Sequence, residues 1–136
     1  MSASLFADDA LRAAKLALDG LSARQQVISR NLANVDTPGY SAQQVDFEST
    51  LKTALNKQSG NVQMARTSAL HIKPSESSSS FYSNTNRAGG SYRKDGNNVD
   101  VDTELLEMTT TGIKYQAISQ GISKKLLLLK SIAQGG

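Results

Sequence analysis

Cysteine and tryptophan are absent from this chain, and histidine occurs once, at His71. Without cysteine there are no disulfides, no thiolate zinc sites and no cysteine nucleophile. A lone His71 also lacks the His or Cys partners that a zinc site requires. Aromatic residues make up only 5% of the chain, so few large side chains are available to fill a compact core. The longest run of large aliphatic residues is Leu126 to Leu129, far short of a membrane span. Residues 1–30 are interrupted by Asp8, Asp9, Arg12, Lys15, Asp19 and Arg24, so they contain no apolar signal core. Export from the cytoplasm, if it occurs, is therefore expected without removal of an N-terminal signal.

Charge of one sign is also scarce where it would matter. The net charge is +3, yet Arg12, Lys15, Arg24 and Arg30 are balanced by Asp8, Asp9, Asp19 and Asp36 in residues 1–40. Residues 100–136 balance in the same way. The excess lies in residues 41–99, spread through Ser, Asn and Gly rather than gathered on one face. A phosphate-tracking surface needs clustered Lys and Arg, so nucleic-acid binding is not indicated.

Two apolar seams dominate what is present. Leu11, Ala14, Leu18, Leu21, Gln25, Ile28, Leu32 and Val35 alternate steps of three and four, the spacing of a coiled-coil seam. The spacing predicts a helix over about residues 7–34. It must stop before Pro38, which disfavours helix at Thr37 and has no amide to donate. Val101, Leu105, Met108, Gly112, Tyr115, Ser119, Ile122, Leu126, Leu129 and Ala133 form the second seam, predicting a helix over residues 101–134. Asp100 or Asp102 is placed to cap it, and Glu104 and Glu107 follow where the helix dipole favours negative charge.

The stretch between the helices has another character. Val45-Asp46-Phe47 and Val62-Gln63-Met64 suit short strands or extended arms, while residues 47–55 equally suit two helical turns. Residues 75–80 and 87–91 read as flexible linker. A structureless loop of this length is unusual in a compact domain and suits a region that orders against neighbours. The expected fold is mainly α: two long terminal helices packed in coiled-coil fashion, with an irregular, partly β middle. The expected divisions are residues 1–40, 41–99 and 100–136.

The most informative block is Asn31-Leu32-Ala33-Asn34-Val35-Asp36-Thr37-Pro38-Gly39-Tyr40. Asn34 is expected to end the helix in a left-handed conformation, and Pro38-Gly39 suits the centre of a type II turn. Asn34, Asp36, Thr37, Pro38, Gly39 and Tyr40 thus form the predicted helix-exit turn. The acidic run from Asp95 fails as an EF-hand. Its fifth, sixth and twelfth positions are Val99, Asp100 and Leu106, where an oxygen ligand, Gly and Glu are required.

The decapeptide resembles the signature that closes the N-terminal helix in the flagellar axial protein family of rod, hook and hook-associated subunits. The run Asp95-Gly96-Asn97-Asn98-Val99-Asp100 resembles that family's approach to its last helix. Lys114-Tyr115-Gln116 matches its mid-helix triplet, and His71-Ile72 falls where a similar pair is common. Together with Val45-Asp46-Phe47-Glu48 these segments fit the proximal-rod branch. The FlgC type, with an Asn-Val-Asn approach and a Ser-Tyr-Gln triplet, fits less well. Residues 52–92 are largely unmatched.

The resemblance implies a structural subunit of the periplasm-spanning drive shaft, which transmits torque for motility. It implies type III export without a cleaved signal and assembly with copies of itself and with rod proteins of the FlgC, FlgF and FlgG types. The FliE adaptor and the export gate are further implied partners. Leu11, Leu18, Leu21, Ile28 and Leu32 of the first seam are the expected subunit-packing residues. So are Val101, Leu105, Met108, Tyr115, Ile122, Leu126 and Leu129 of the second. Phe6 and Ala10 fit the family's short export signal. No cofactor, metal or catalytic residue is expected.

Two other classes compete. A peptidoglycan glycosidase needs two opposed carboxyl groups in a cleft. Glu48, Glu76, Glu104 and Glu107 sit at predicted helix starts or in linker, with nothing to oppose a pair. A soluble coiled-coil adaptor would explain the seams, but not the decapeptide or the Asp95 run.

Overall fold

The computed structural model describes residues 9–56 and 82–135. Its elements run α1 (Asp9–Ala33), β1 (Gln43–Asp46), α2 (Glu48–Asn56), β2 (Ser83–Asn86) and α3 (Val101–Gln134). The chain is mainly helical, as expected. Helix α1 ends one residue before Asn34, and α3 has the predicted bounds. Asp100 is its N-cap, accepting from the amides of Asp102 (3.0 Å) and Thr103 (3.3 Å).

Helices α1 and α3 pack antiparallel. Asn31, near the end of α1, meets Glu104 in the first turn of α3, while Leu11 and Ala14 share a groove with Ile118 and Ile122. Midway, Gln25 faces Gly112. With 34 residues against 25, α3 is about 50 Å long to about 37 Å for α1.

The two ends of the hairpin are joined by a small arm. β1 and β2 pair antiparallel, Gln43 opposite Asn86 and Asp46 opposite Ser83. The amide of Arg87 extends the ladder to Ala42 O (2.7 Å). Phe47 then leads directly into α2, completing both alternatives that Val45–Leu55 offered: a strand first, a short helix after it.

Helix α1 is buried on two sides. Its arm-facing stripe includes Ala17, Gly20, Arg24, Val27 and Asn31, which the seam analysis did not anticipate. Leu21, Ala17, Ala23 and Val27 join Val45 and Phe47 in the core, with Leu51, Tyr82 and Ile118 packed around it. Small residues let the arm approach closely. A Cβ built on Gly20 would lie 2.3 Å from Phe47 Cγ, so only glycine leaves room for that ring. Leu21 and Ile28 are buried within the chain, while Leu11, Leu18, Gln25 and Leu32 are only half-buried.

Helix α3 keeps half of its expected seam half-buried: Met108, Gly112, Ser119, Ile122 and Leu129. The inward stripe also takes in Glu104, Thr111, Ile118 and Lys125, each next to a seam position. Val101, Leu105, Tyr115 and Leu126 rotate toward the outside. At the start of the helix Glu104 is held inward by two polar partners.

Residues 87–91, read from the sequence as flexible linker, are placed here. Arg87 is anchored, and Gly89 and Gly90 turn at positive φ (88° and 101°). Val62-Gln63-Met64 and residues 75–80 lie outside the described residues.

Candidate functional site

The loop that leaves α1 and the loop that enters α3 meet back to back. Thr37 O accepts from the Tyr40 amide (3.2 Å) and Gly39 has φ +71°, which fits the predicted type II turn. A second turn opposes it, with the Gly96 amide donating to Arg93 O (2.9 Å) and Gly96 at φ +81°. The Gly39 amide donates to Asp95 O (2.8 Å) across the junction. A Cβ on Gly96 would stand 3.5 Å from Gly39 Cα.

Asn34 corrects one expectation. Among the described residues only glycines have positive φ, so Asn34 does not adopt a left-handed conformation. Its amide instead donates to Arg30 O (3.2 Å) and Asn31 O (3.1 Å), and its Nδ2 to Arg30 O (2.8 Å). The side chain thus reinforces a carbonyl of the last helical turn, and the chain leaves the helix without a left-handed residue at this position. Thr37 Oγ1 then donates to Asn34 Oδ1 (3.1 Å). Asp36 and Pro38 are exposed, with Asp36 3.7 Å from Arg93.

Asn97, fully buried, adds a side-chain donor to the carbonyls of the exit turn. Its Nδ2 lies 2.9, 3.0 and 2.9 Å from the carbonyl oxygens of Asn34, Val35 and Thr37. Its Oδ1 accepts from the Val99 amide (2.8 Å), which stiffens its own loop. Asn98 Oδ1 accepts from the Ala42 amide (2.6 Å), while Asn98 Nδ2 is buried without a partner among the described residues. The Asp95–Asp100 run is therefore a clasp on the exit turn. Among the described residues, no group of His, Cys, Asp or Glu could hold a metal ion.

Asn31 and Glu104 lie beneath this clasp, both fully buried. Asn31 Nδ2 donates to Gln43 O (2.8 Å) and to Glu104 Oε2 (3.2 Å). Its Oδ1 accepts from the Gln43 amide (2.9 Å) and from Tyr40 Oη (3.1 Å). The carboxamide thus pairs with β1 as a neighbouring strand would. Glu104 Oε1 pairs with Arg87 at 2.7 Å, the arginine being partly exposed. Burial pushes the Tyr40 hydroxyl above its ordinary pKa, outweighing the lowering effect of Arg30.

A second ion pair ties α1 to α2. Arg24 donates to Val45 O (2.9 Å) and Glu48 (2.5 Å), with its guanidinium 4.7 Å from the Phe47 ring centre. Burial raises the Glu48 pKa, but the Arg24 hydrogen bond and charge prevail, and the net shift is downward. Glu48 and Glu104 are thus each committed to an arginine rather than opposed across a cleft, and Glu76 lies outside the described residues. The joint holds chain segments in place. It presents no pair of free carboxyl groups for acid–base work.

Of the residues singled out from the sequence, the joint gathers Asn34, Thr37, Gly39 and Tyr40. Asn31, Arg87, Glu104, Asn97 and Asn98 are functional candidates that sequence reasoning left as helix, linker or cap. Signals were present: Asn31 opens the decapeptide and is in phase with Ala17 and Arg24, seven residues apart, and Asn97-Asn98 lie within the Asp95 run. Ala10, Leu11 and Ala14 line the groove with Ile118, Gly121 and Ile122, whereas Phe6 lies outside the described residues. Among the described residues, no helix is long and apolar enough to cross a membrane.

Residues 11–40, which are most of α1 and the whole exit turn, match the family model described as Flagella basal body rod protein. The chain is 36% identical over 120 residues to the flagellar basal body rod protein FlgB of Bacillus subtilis, covering 88% of this chain and 89% of that one. It is 34% identical over 132 residues to FlgB of Salmonella typhimurium, covering 95% and 96%. FlgB of Escherichia coli is 31% identical over the same length and coverage. The alignments therefore run through the arm and α3, well past the exit turn, and the chain belongs to the FlgB family of flagellar basal body rod proteins.

Proposed function

We propose that this chain, a structural subunit of the flagellar basal body rod and not an enzyme, is locked into the rod by neighbouring helices that surround α3. The observation that carries this reading is the apolar surface left open along that helix. Leu126 to Leu129 follow one another at about 100° per residue, so they point to nearly every side of one turn. One antiparallel neighbour can cover one side. Leu127 and Leu128 remain 66% and 62% exposed, and Leu105, Leu106, Ile113 and Ile132 are open as well. A helical turn that is apolar on every side suits an interior rather than solvent. Burying one such side chain contributes about 1.5–3 kcal/mol.

The expected subunit contacts therefore centre on α3: Val101, Leu105, Met108, Tyr115, Ile122, Leu126 and Leu129, with Leu127 and Leu128 added. Leu11, Leu18 and Leu32 of α1 contribute from their half-open side, while Leu21 and Ile28 act inside the subunit. Other copies of the chain and rod proteins of the FlgC, FlgF and FlgG types supply the surrounding helices, next to the FliE adaptor and export gate. Export proceeds without a cleaved signal, with Phe6 and Ala10 as its recognition pair, and the assembled shaft passes torque outward.

A strain lacking its own rod subunit tests this reading. Wild-type chain should restore swimming, and Leu127→Lys/Leu128→Lys should be secreted yet fail to assemble. The isolated variant should keep its helical circular dichroism, because neither side chain is buried within the chain. Normal swimming by the double-lysine strain would sink the proposal.

A further inference from the structure

The exit loop, the first strand of the arm and the start of α3 all meet at one carboxamide. Asn31 belongs to α1, and its polar atoms reach Tyr40 in the exit loop, both backbone groups of Gln43 in β1, and Glu104 in α3. Glu104 extends the chain of bonds to Arg87, directly after β2. We infer that Asn31, Glu104 and Arg87 are positioning residues: a joint that sets the direction of the β1–β2 arm against the α1–α3 pair, and with it the way each subunit meets the next. The inference rests on the rod-subunit reading.

The physical case is one of directionality. The contacts among Leu21, Val27, Val45 and Phe47 hold the arm near α1, but apolar burial is non-directional and tolerates small rotations. Hydrogen bonds do not, since they weaken steeply with misalignment. At this joint the penalty is sharpened by burial. A carboxylate with no solvent access has two protein partners, and rotation of the arm by a fraction of a bond length would strip one away. The Asn31 carboxamide has no spare donor to compensate, its two N–H groups being committed to Gln43 O and Glu104. A single arm direction satisfies all of these groups at once, and a shaft under torsion requires that rigidity from every copy.

The substitution Asn31→Asp keeps the size and the acceptor toward the Gln43 amide, but it removes both donated bonds and sets a carboxylate against Gln43 O and Glu104. Adding Glu104→Gln moves the charge to the other end of the same bond. Its amide can donate to the new aspartate, and the total charge beside Arg87 is restored. The chain has no cysteine, so spin labels at Ser22→Cys on α1 and Ser91→Cys beyond β2 report the arm direction directly. Wild type should give one narrow distance distribution and Asn31→Asp a broadened or displaced one; the Asn31→Asp/Glu104→Gln pair, which rebuilds the bond to residue 104 but not the one to Gln43 O, should lie between them. Swimming should follow in the same order: most of it lost in the single variant and partly regained in the pair, as expected for directly coupled residues. A narrow distribution and normal swimming in Asn31→Asp would overturn the inference. So would a pair as defective as the single variant, whether or not the single variant folds. Failure of the wild-type chain to restore swimming would instead overturn the rod reading beneath it.

Discussion

Substituting alanine for Gly20 sets two known effects against each other, and the structure decides the sign. In an open helix the change is favourable, since glycine is about 1 kcal/mol worse than alanine in a helix interior. Gly20, however, faces the Phe47 ring. The added Cβ would lie 2.3 Å from Phe47 Cγ, 2.5 Å from Cδ2 and 2.8 Å from Cβ. These atoms are at the root of the side chain, so the ring cannot swing its far end away, and the backbone leading into α2 must move. Overpacking of this kind costs about 1–3 kcal/mol, and the displacement needed places it near the top of that range. The net expectation is destabilisation by about 2 kcal/mol, which at a urea slope of about 2 kcal/mol per molar lowers the unfolding midpoint by about 1 M. Gly121→Ala is the internal control. It is the same substitution in α3 with nothing within 4 Å of the new methyl, so its midpoint should rise. In a Phe47→Ala background most of the clash is gone, and Gly20→Ala should be close to neutral there. Urea titrations of the isolated chain followed at the helical band suffice. A midpoint that rises for Gly20→Ala as it does for Gly121→Ala would show that Phe47 does not rest on α1, and the account of the arm would fail with it.

Two further expectations concern the loops. Gly39→Val meets no neighbour within 4 Å, so any defect must come from its φ of +71°; the strain is about 1–3 kcal/mol. Cells should still secrete the variant but not swim, with Gly39→Asn milder, and normal swimming by the valine strain would show that the turn does not govern docking. The Asp100 carboxyl is held below its ordinary value of 3.8, chiefly by hydrogen bonds from Thr103 and also from Asp102. A lowered folded-state pKa means that the cap stabilises above about pH 4 and is lost as pH falls through the lowered value. Hydrogen exchange at Asp102 and Thr103 should therefore accelerate in acid before the middle of α3 does. Asp100→Asn, which caps at any pH, should remove that acid sensitivity, and an unchanged acid response in the variant would refute the assignment.

The extents of the helices were legible because they depend on neighbours in sequence. Alternating three- and four-residue apolar steps mark α1 and α3. Pro38 forbids continuation, and Asp100 satisfies amides two and three residues on. The Pro38-Gly39 turn was legible for the same reason, since four consecutive residues contain all of it. What the tertiary structure alone decided involves partners far apart in the chain. Asn31 and Glu104 are 73 residues apart, and Asn97 reaches the Asn34 carbonyl across 63. No local pattern distinguishes a glutamate that favours the helix dipole in solvent from one drawn into the interior by Asn31 and Arg87. Yet the inward stripe of α3 takes in Glu104, Thr111, Ile118 and Lys125 and leaves Val101, Leu105 and Leu126 outside. In the same way, Gly20 reads as a weak helix position until Phe47 is laid on it, and only then does its missing side chain become the reason the arm can close on α1.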